Sequence, residues 1–215
     1  MLSMIMAGRI NEAILLLITI IISLSFHEFG HAWTAKRFGD NTAERMGRLT
    51  LNPVAHIDPF GLLMVAMVGF GFAKPVPTDP RNFNSPQASL WISAAGPGMN
   101  LILAFFSVNL LAAGYVFQIE ILQLSGVQVF LQFMTFINLI LMLFNLLPIG
   151  PLDGHYILPY FLSRDNAYRY VRWNEQYGTH VLMGAILLGV IGVPVFSFLM
   201  GMAQKLSQFL IIFSL

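Results

Sequence analysis

Two histidines and a glutamate fall within Phe26-His27-Glu28-Phe29-Gly30-His31, at the end of a run of Ile, Leu, Ser and Thr that begins at Ile10. Residues four apart on a helix share a face, so His27 and His31 can offer their imidazoles to one tetrahedral zinc at about 2.0–2.1 Å. Glu28 is turned about 100 degrees from His27, which sets it beside the metal rather than on it. From there it can take a proton from an attacking water and pass it to a leaving amine. A hydrolytic zinc site also needs a third protein ligand and a position left for water.

Few acidic residues can be that third ligand, because most lie in loops or beside basic residues. Asp153 is the best of them. Pro148 and Pro151 break the helix ahead of it, and Gly154 leaves room for a close approach. Broken backbone at membrane depth is tolerated where it lines a wet or protein-buried cavity. The competing reading is an ordinary turn aspartate beside a glycine. Asn145, about two turns earlier, can donate to a substrate carbonyl or to the oxyanion formed from it. Asn100, after Gly96-Pro97-Gly98-Met99, is considered for the same role; the alternative for both asparagines is to satisfy backbone groups freed at kinks. His56, His155 and His180 lack a metal-ligand spacing and read as surface or structural residues. Of these His155 adjoins Asp153.

The elements that must position these residues belong to a membrane protein. The 215-residue chain is 57% hydrophobic and only 10% charged, against about 25% charged for a soluble domain. A net charge of +1 gives no reason to expect nucleic acid, and the absence of cysteine excludes disulfides and thiolate metal sites. Ionisable groups inside such an apolar span are costly and point to function. The basic flank before Ile10 could suggest a cleaved signal, but the following run carries the histidines, so it is expected to be a retained first span.

The expected fold class is an all-α polytopic membrane protein of one domain, 1–215, with about four transmembrane helices, one re-entrant or short membrane segment and a small membrane-associated β element. The spans are placed at about 10–35, 88–117, 127–148 and 178–213. Pro194 leaves open whether the last is one broken span or two segments. The apolar run from Phe60 to Phe72 is shorter than the roughly 20 residues a span needs, so 58–73 is expected to be re-entrant. Gly47 to Pro53 and Lys74 to Phe83 are the candidate strands. Arg164, Arg169 and Arg172 among tyrosines and Trp173 have the composition of an interfacial segment. If 58–73 does not cross, nearly all basic residues share one side, and the positive-inside rule puts the amino terminus outside. His27 and Asp153 then reach similar depth near the cytoplasmic face.

His27-Glu28-Phe29-Gly30-His31, Asn145-Leu146-Leu147-Pro148 through Asp153-Gly154, Gly96-Pro97-Gly98-Met99-Asn100, and the turn from Gly47 to Gly61 together resemble the site-2 protease family. These are intramembrane zinc metalloproteases of peptidase family M50, and the likeness is to a compact bacterial form without a PDZ or CBS domain. It covers about 25–156. The resemblance implies that His27, His31 and Asp153 hold one Zn2+ per chain, that Glu28 is the catalytic acid/base, and that the substrate is a membrane protein helix unwound near the cytoplasmic side. It also implies a multi-pass protein of the cytoplasmic membrane, in contact with the lipid bilayer and not with nucleic acid. The segments flanking Phe60 to Phe72 would add unwound substrate as an edge strand. His155 departs from the small residue many members have there. Two other classes compete. A metal transporter would need further ligands in the outer halves of the spans, which offer almost none; an inactive helix-binding scaffold would have no use for Glu28.

Overall fold

A computed structural model describes residues 1–68, 71 and 73–213. Among the described residues three helices are long and apolar enough to cross a membrane: α1 (Ile10–Arg37), α3 (Ala88–Val116) and α4 (Ser125–Asn145). Between them α2 (Pro59–Val68) is only ten residues long, about 15 Å of rise. Its Asp58 carboxylate accepts from Gly61 N–H at 2.8 Å and caps the helix start. Residues 69, 70 and 72, the end of the expected re-entrant run, lie outside the described residues.

The long helices α3 (Ala88–Val116) and α4 (Ser125–Asn145) pack against α1 and against each other. Their contacts rely on small side chains, with Ala32 and Ala35 of α1 and Ala88 and Ala104 of α3 fully or almost fully buried. Small residues let helix backbones approach where lipid supplies no hydrophobic drive for association. The outward faces carry exposed Ile14, Ile18, Phe106 and Leu110, as a bilayer solvent requires.

After α4 a proline-rich loop leads to the single turn α5 (Asp153–Ile157), then to α6 (Arg164–Trp173), which runs through a π-helical turn, Asn174–Gly178, into α7 (Thr179–Val190). The turn at 191–196 separates α7 from α8 (Ser197–Leu210). Leu199 and Ala203 of α8 close the core against Ala104, Leu139, Met142 and Leu143.

Two parts of the expected fold class need correction. Among the described residues three helices, not about four, meet the length and hydropathy of a span; α7 and α8, at 12 and 14 residues, rise about 18 and 21 Å against a hydrocarbon core of about 30 Å. The β element is also absent: no strand occurs among the described residues. Pro53 opens a short 3-10 turn, with Asn52 accepting from Val54 N–H at 3.1 Å. Pro75, Pro77 and Pro80 leave the second segment without the donors a ladder needs. Lys74 N–H bonds to the carbonyl of His56, in the turn beyond Pro53, at 2.9 Å.

That second segment is instead a strap over the end of α1. The helix stops at Gly39, whose φ of +94° and contact with the Asn82 carbonyl admit no side chain. Next to it, fully buried Asp40 accepts hydrogen bonds from the Thr42 N–H and hydroxyl, the Asp79 N–H at 2.7 Å and the Asn82 amide at 3.0 Å. Burial pushes the Asp40 carboxyl up, but these donors outweigh it and hold it below its ordinary value. A depressed folded-state pKa stabilises above the unfolded value of about 3.9 and ceases to do so as pH falls through the folded value. Asp40→Ala is therefore expected to cost about 2–3 kcal/mol at neutral pH. The gap from wild type should narrow as pH falls below about 4, measured by denaturant unfolding in detergent across pH.

Candidate metal centre

The site lies where α1 crosses α3. A Cβ at Gly30 would come within 2.7 Å of the Met99 side chain and 2.8 Å of the Ala95 carbonyl oxygen. At Gly96 it would strike the His31 ring and lie 2.7 Å from His27 Cε1. Each glycine thus makes room for the opposite helix, and Gly96 clears the floor beneath both imidazoles. Gly96→Ala is expected to weaken zinc binding by on the order of 10- to 100-fold, measured by chelator competition, by displacing rings that remain chemically intact.

Both rings are held from behind. His27 Nδ1 lies 2.7 Å from Asn100 Oδ1, and His31 Nδ1 lies 2.6 Å from the Ile92 carbonyl oxygen. Each acceptor takes a hydrogen from Nδ1, so in the neutral rings the Nε2 lone pairs face the site. Those two Nε2 atoms are 3.0 Å apart. Asp153 arrives from α5 with Oδ2 at 3.3 Å from His27 Nε2 and Oδ1 at 3.4 Å from His31 Nε2.

Asp153 can reach them because of Gly154. A Cβ there would collide with the Leu146 and Leu147 carbonyls, so glycine lets α5 tuck beneath the last turn of α4. Asp153 Oδ2 is buried without a hydrogen-bond donor, a costly state for a carboxylate oxygen. Ligand atoms of His27, His31 and Asp153 all fall within 4.8 Å of one another. Two converging imidazole nitrogens, a carboxylate oxygen lacking a donor and no sulfur suit a divalent zinc in a catalytic rather than a structural site.

Behind His27 the polar contacts continue through three helices. The Asn100 amide, fully buried, donates to Asn138 Oδ1 at 2.8 Å and to the Ser23 carbonyl at 3.3 Å. Asn138 donates to Ser23 Oγ at 2.9 Å and to the Met134 carbonyl at 2.7 Å, and Ser23 Oγ donates to the Thr19 carbonyl. Asn100 is thus committed to the back of His27. Asn145 is half-buried at the end of α4, with its amide donating to the Leu141 carbonyl at 3.0 Å.

Glu28 is buried, and its Oε2 accepts the Val76 N–H at 2.9 Å. Val76 stands between two prolines, so its N–H is the one donor of Pro75-Val76-Pro77. The strap is anchored on both sides: Lys74 bonds to His56 and accepts from the Arg48 guanidinium, while Asp79 bonds to Asp40. His56 is fully buried with Nε2 at 2.7 Å from the Thr50 carbonyl. His155 rests against Tyr156 and Tyr170, outside the metal-ligand group, and His180 is exposed.

Asn138 and Val76 escape the sequence reading. Asn138 had a usable signal, an amide in the middle of the apolar run from Val127 to Leu147, where polar groups are costly. Val76 acts through its backbone, which no residue type announces.

A family model described as Peptidase family M50 matches residues 15–119 and 114–188. The chain is 46% identical over 146 residues to “Putative zinc metalloprotease YwhC” of Bacillus subtilis (strain 168), a match covering 66% of this chain and 67% of that protein. It is 36% identical over 140 residues to the similarly named Rip2 of Mycolicibacterium smegmatis, and 36% identical over 141 residues to Rip2 of Mycobacterium tuberculosis (strain ATCC 25618 / H37Rv). Each Rip2 match covers 63% of this chain. The chain spans about half the length of the Rip2 relatives, the matches covering 52% of each. No solved structure matches the chain.

Proposed function

The chain belongs to peptidase family M50, a zinc-dependent metalloprotease of the membrane, and from that premise we propose that it hydrolyses peptide bonds within transmembrane helices of other membrane proteins, near the cytoplasmic face of the cell membrane. The observation that carries this reading is the meeting of His27 and His31, inside an apolar helix, with the donorless carboxylate oxygen of Asp153. A site at that depth is reached by a membrane-embedded chain more readily than by a soluble peptide.

In this proposal His27, His31 and Asp153 hold the zinc, and Asn100 and Ile92 fix the two rings. Zinc, when bound, polarises the scissile carbonyl and lowers the pKa of water. Glu28 accepts the proton of the attacking water on its carboxylate and delivers it to the leaving amine nitrogen. The Val76 N–H keeps that carboxylate from swinging away. Asn145 has spent one of its two amide hydrogens on Leu141, and the second is free for the substrate carbonyl. The amino terminus lies outside, so that Lys36, Arg37, Arg164, Arg169 and Arg172 share the cytoplasmic side.

The substrate is sought by comparing membrane proteomes of cells carrying wild-type protein and Glu28→Gln. Uncut transmembrane proteins accumulating in the variant identify it; indistinguishable proteomes under conditions of expression count against proteolysis of membrane helices.

A further inference from the structure

The loop that delivers Asp153 has little of its own to hold it. Between Leu147 and Leu152, Pro148 and Pro151 have no N–H, and the amides of Ile149 and Leu152 bond within the loop to Leu147 and Ile149 carbonyls. Of the loop's own N–H groups, that of Gly150 is the one that reaches outside the loop. It donates at 2.9 Å to Oδ1 of Asn174, a residue only 3% exposed and 24 positions further along the chain, whereas Gly150 itself stands three residues before Asp153.

Asn174 opens the π-helical turn between α6 and α7. Such turns interrupt the regular α-helical bonding, and they recur at functional sites. This one seats Asn174 between two glycines. A Cβ at Gly150 would strike the Asn174 amide nitrogen, and a Cβ at Gly178 would lie 2.7 Å from Asn174 Cγ and 3.0 Å from Nδ2. On the same helix face, one turn earlier, the Tyr170 hydroxyl donates to the Pro148 carbonyl at 3.0 Å. The cytoplasmic helix therefore grips the loop at both a donor and an acceptor.

We propose that Asn174 is a positioning residue for the metal centre, setting the place of Asp153 through its bond to Gly150. This rests on the reading of Asp153 as a zinc ligand. The side chain touches neither metal ligand nor substrate; it fixes where the loop ends. Asn174→Leu removes the acceptor at similar volume, whereas Asn174→Asp keeps an oxygen facing Gly150 N–H.

The test uses the purified full-length chain in detergent, with zinc affinity from chelator competition and the visible spectrum of the cobalt-substituted protein as readouts. Asn174→Leu is expected to lose on the order of 10- to 100-fold in zinc affinity and to alter the cobalt bands; Asn174→Asp should recover both. Should Asn174→Leu not accumulate, Gly178→Ala, which drives a methyl into the same amide, is expected to act in the same direction. Wild-type affinity and spectrum in Asn174→Leu or, failing that, in Gly178→Ala, with only a lower melting temperature, overturn the proposal. Asp153→Ala run in parallel separates the two failures. If it too leaves zinc affinity unchanged, the ligand assignment has failed; if it alone weakens binding, only the role of Asn174 has.

Discussion

Glu28→Gln is expected to lower the rate of cleavage of a transmembrane substrate by about 10²- to 10⁴-fold while the protein still binds one zinc per chain. Glutamine preserves the shape of the side chain, and its carbonyl oxygen can still accept the Val76 N–H now bound by Oε2. The strap, and with it the wall of the site, should stay in place. What the amide cannot do is accept and release a proton near neutral pH, so loss of rate with intact zinc content isolates proton transfer. Purified wild type and variant in liposomes, with cleavage followed by gel and mass spectrometry and zinc by elemental analysis, provide the comparison. Undiminished turnover would remove Glu28 from the mechanism, whatever its place in the fold.

Asp153→Ala should have the second large effect, on the metal itself. Outer-shell partners of a zinc site contribute about 10- to 100-fold in affinity, so loss of a ligand should exceed about 100-fold. The metal-free protein should respond differently. Without a cation the carboxylate keeps a buried oxygen that receives no hydrogen, and its removal is expected to leave the metal-free melting temperature unchanged or higher. Opposite behaviour of the metal-loaded and metal-free proteins, followed by thermal unfolding with and without chelator, distinguishes a ligand from a structural aspartate.

Much of this arrangement can be read from residue types because membrane depth makes polar groups conspicuous. His27, Glu28 and His31 stand out in an apolar run, and Asp153 stands out by the prolines and glycine around it; the chain folds these two stretches onto one another. Sequence reasoning left Asn100 between a substrate role and the satisfaction of backbone groups freed at a kink, and its side chain bonds to His27, Ser23 and Asn138. A spacing rule names residues on one helix and cannot see which partner faces them from another. The β element failed for a related reason. Gly47 to Pro53 and Lys74 to Phe83 carry strand-like alternation, but the donors are lost at Pro53, Pro75, Pro77 and Pro80, and side-chain anchors such as Asp40 and Arg48 hold these segments instead. In the last apolar region hydropathy continues across Gly192 and Pro194 while the helix does not; of the two arrangements Pro194 leaves open, the chain forms two separate helices, α7 and α8, of 12 and 14 residues. Val76 and Asn174 were invisible because one acts through its backbone and the other through a bond to a backbone.

Zinc K-edge X-ray absorption on the purified, zinc-loaded chain addresses the metal centre most directly, because it reports the ligands without a substrate. The expected first shell is two imidazole nitrogens at about 2.0–2.1 Å and carboxylate or water oxygen at about 2.0–2.2 Å, with the imidazole scattering halved in His31→Ala. A shell of three or more imidazoles, or a spectrum that His31→Ala leaves unchanged, would contradict a centre built from His27, His31 and Asp153.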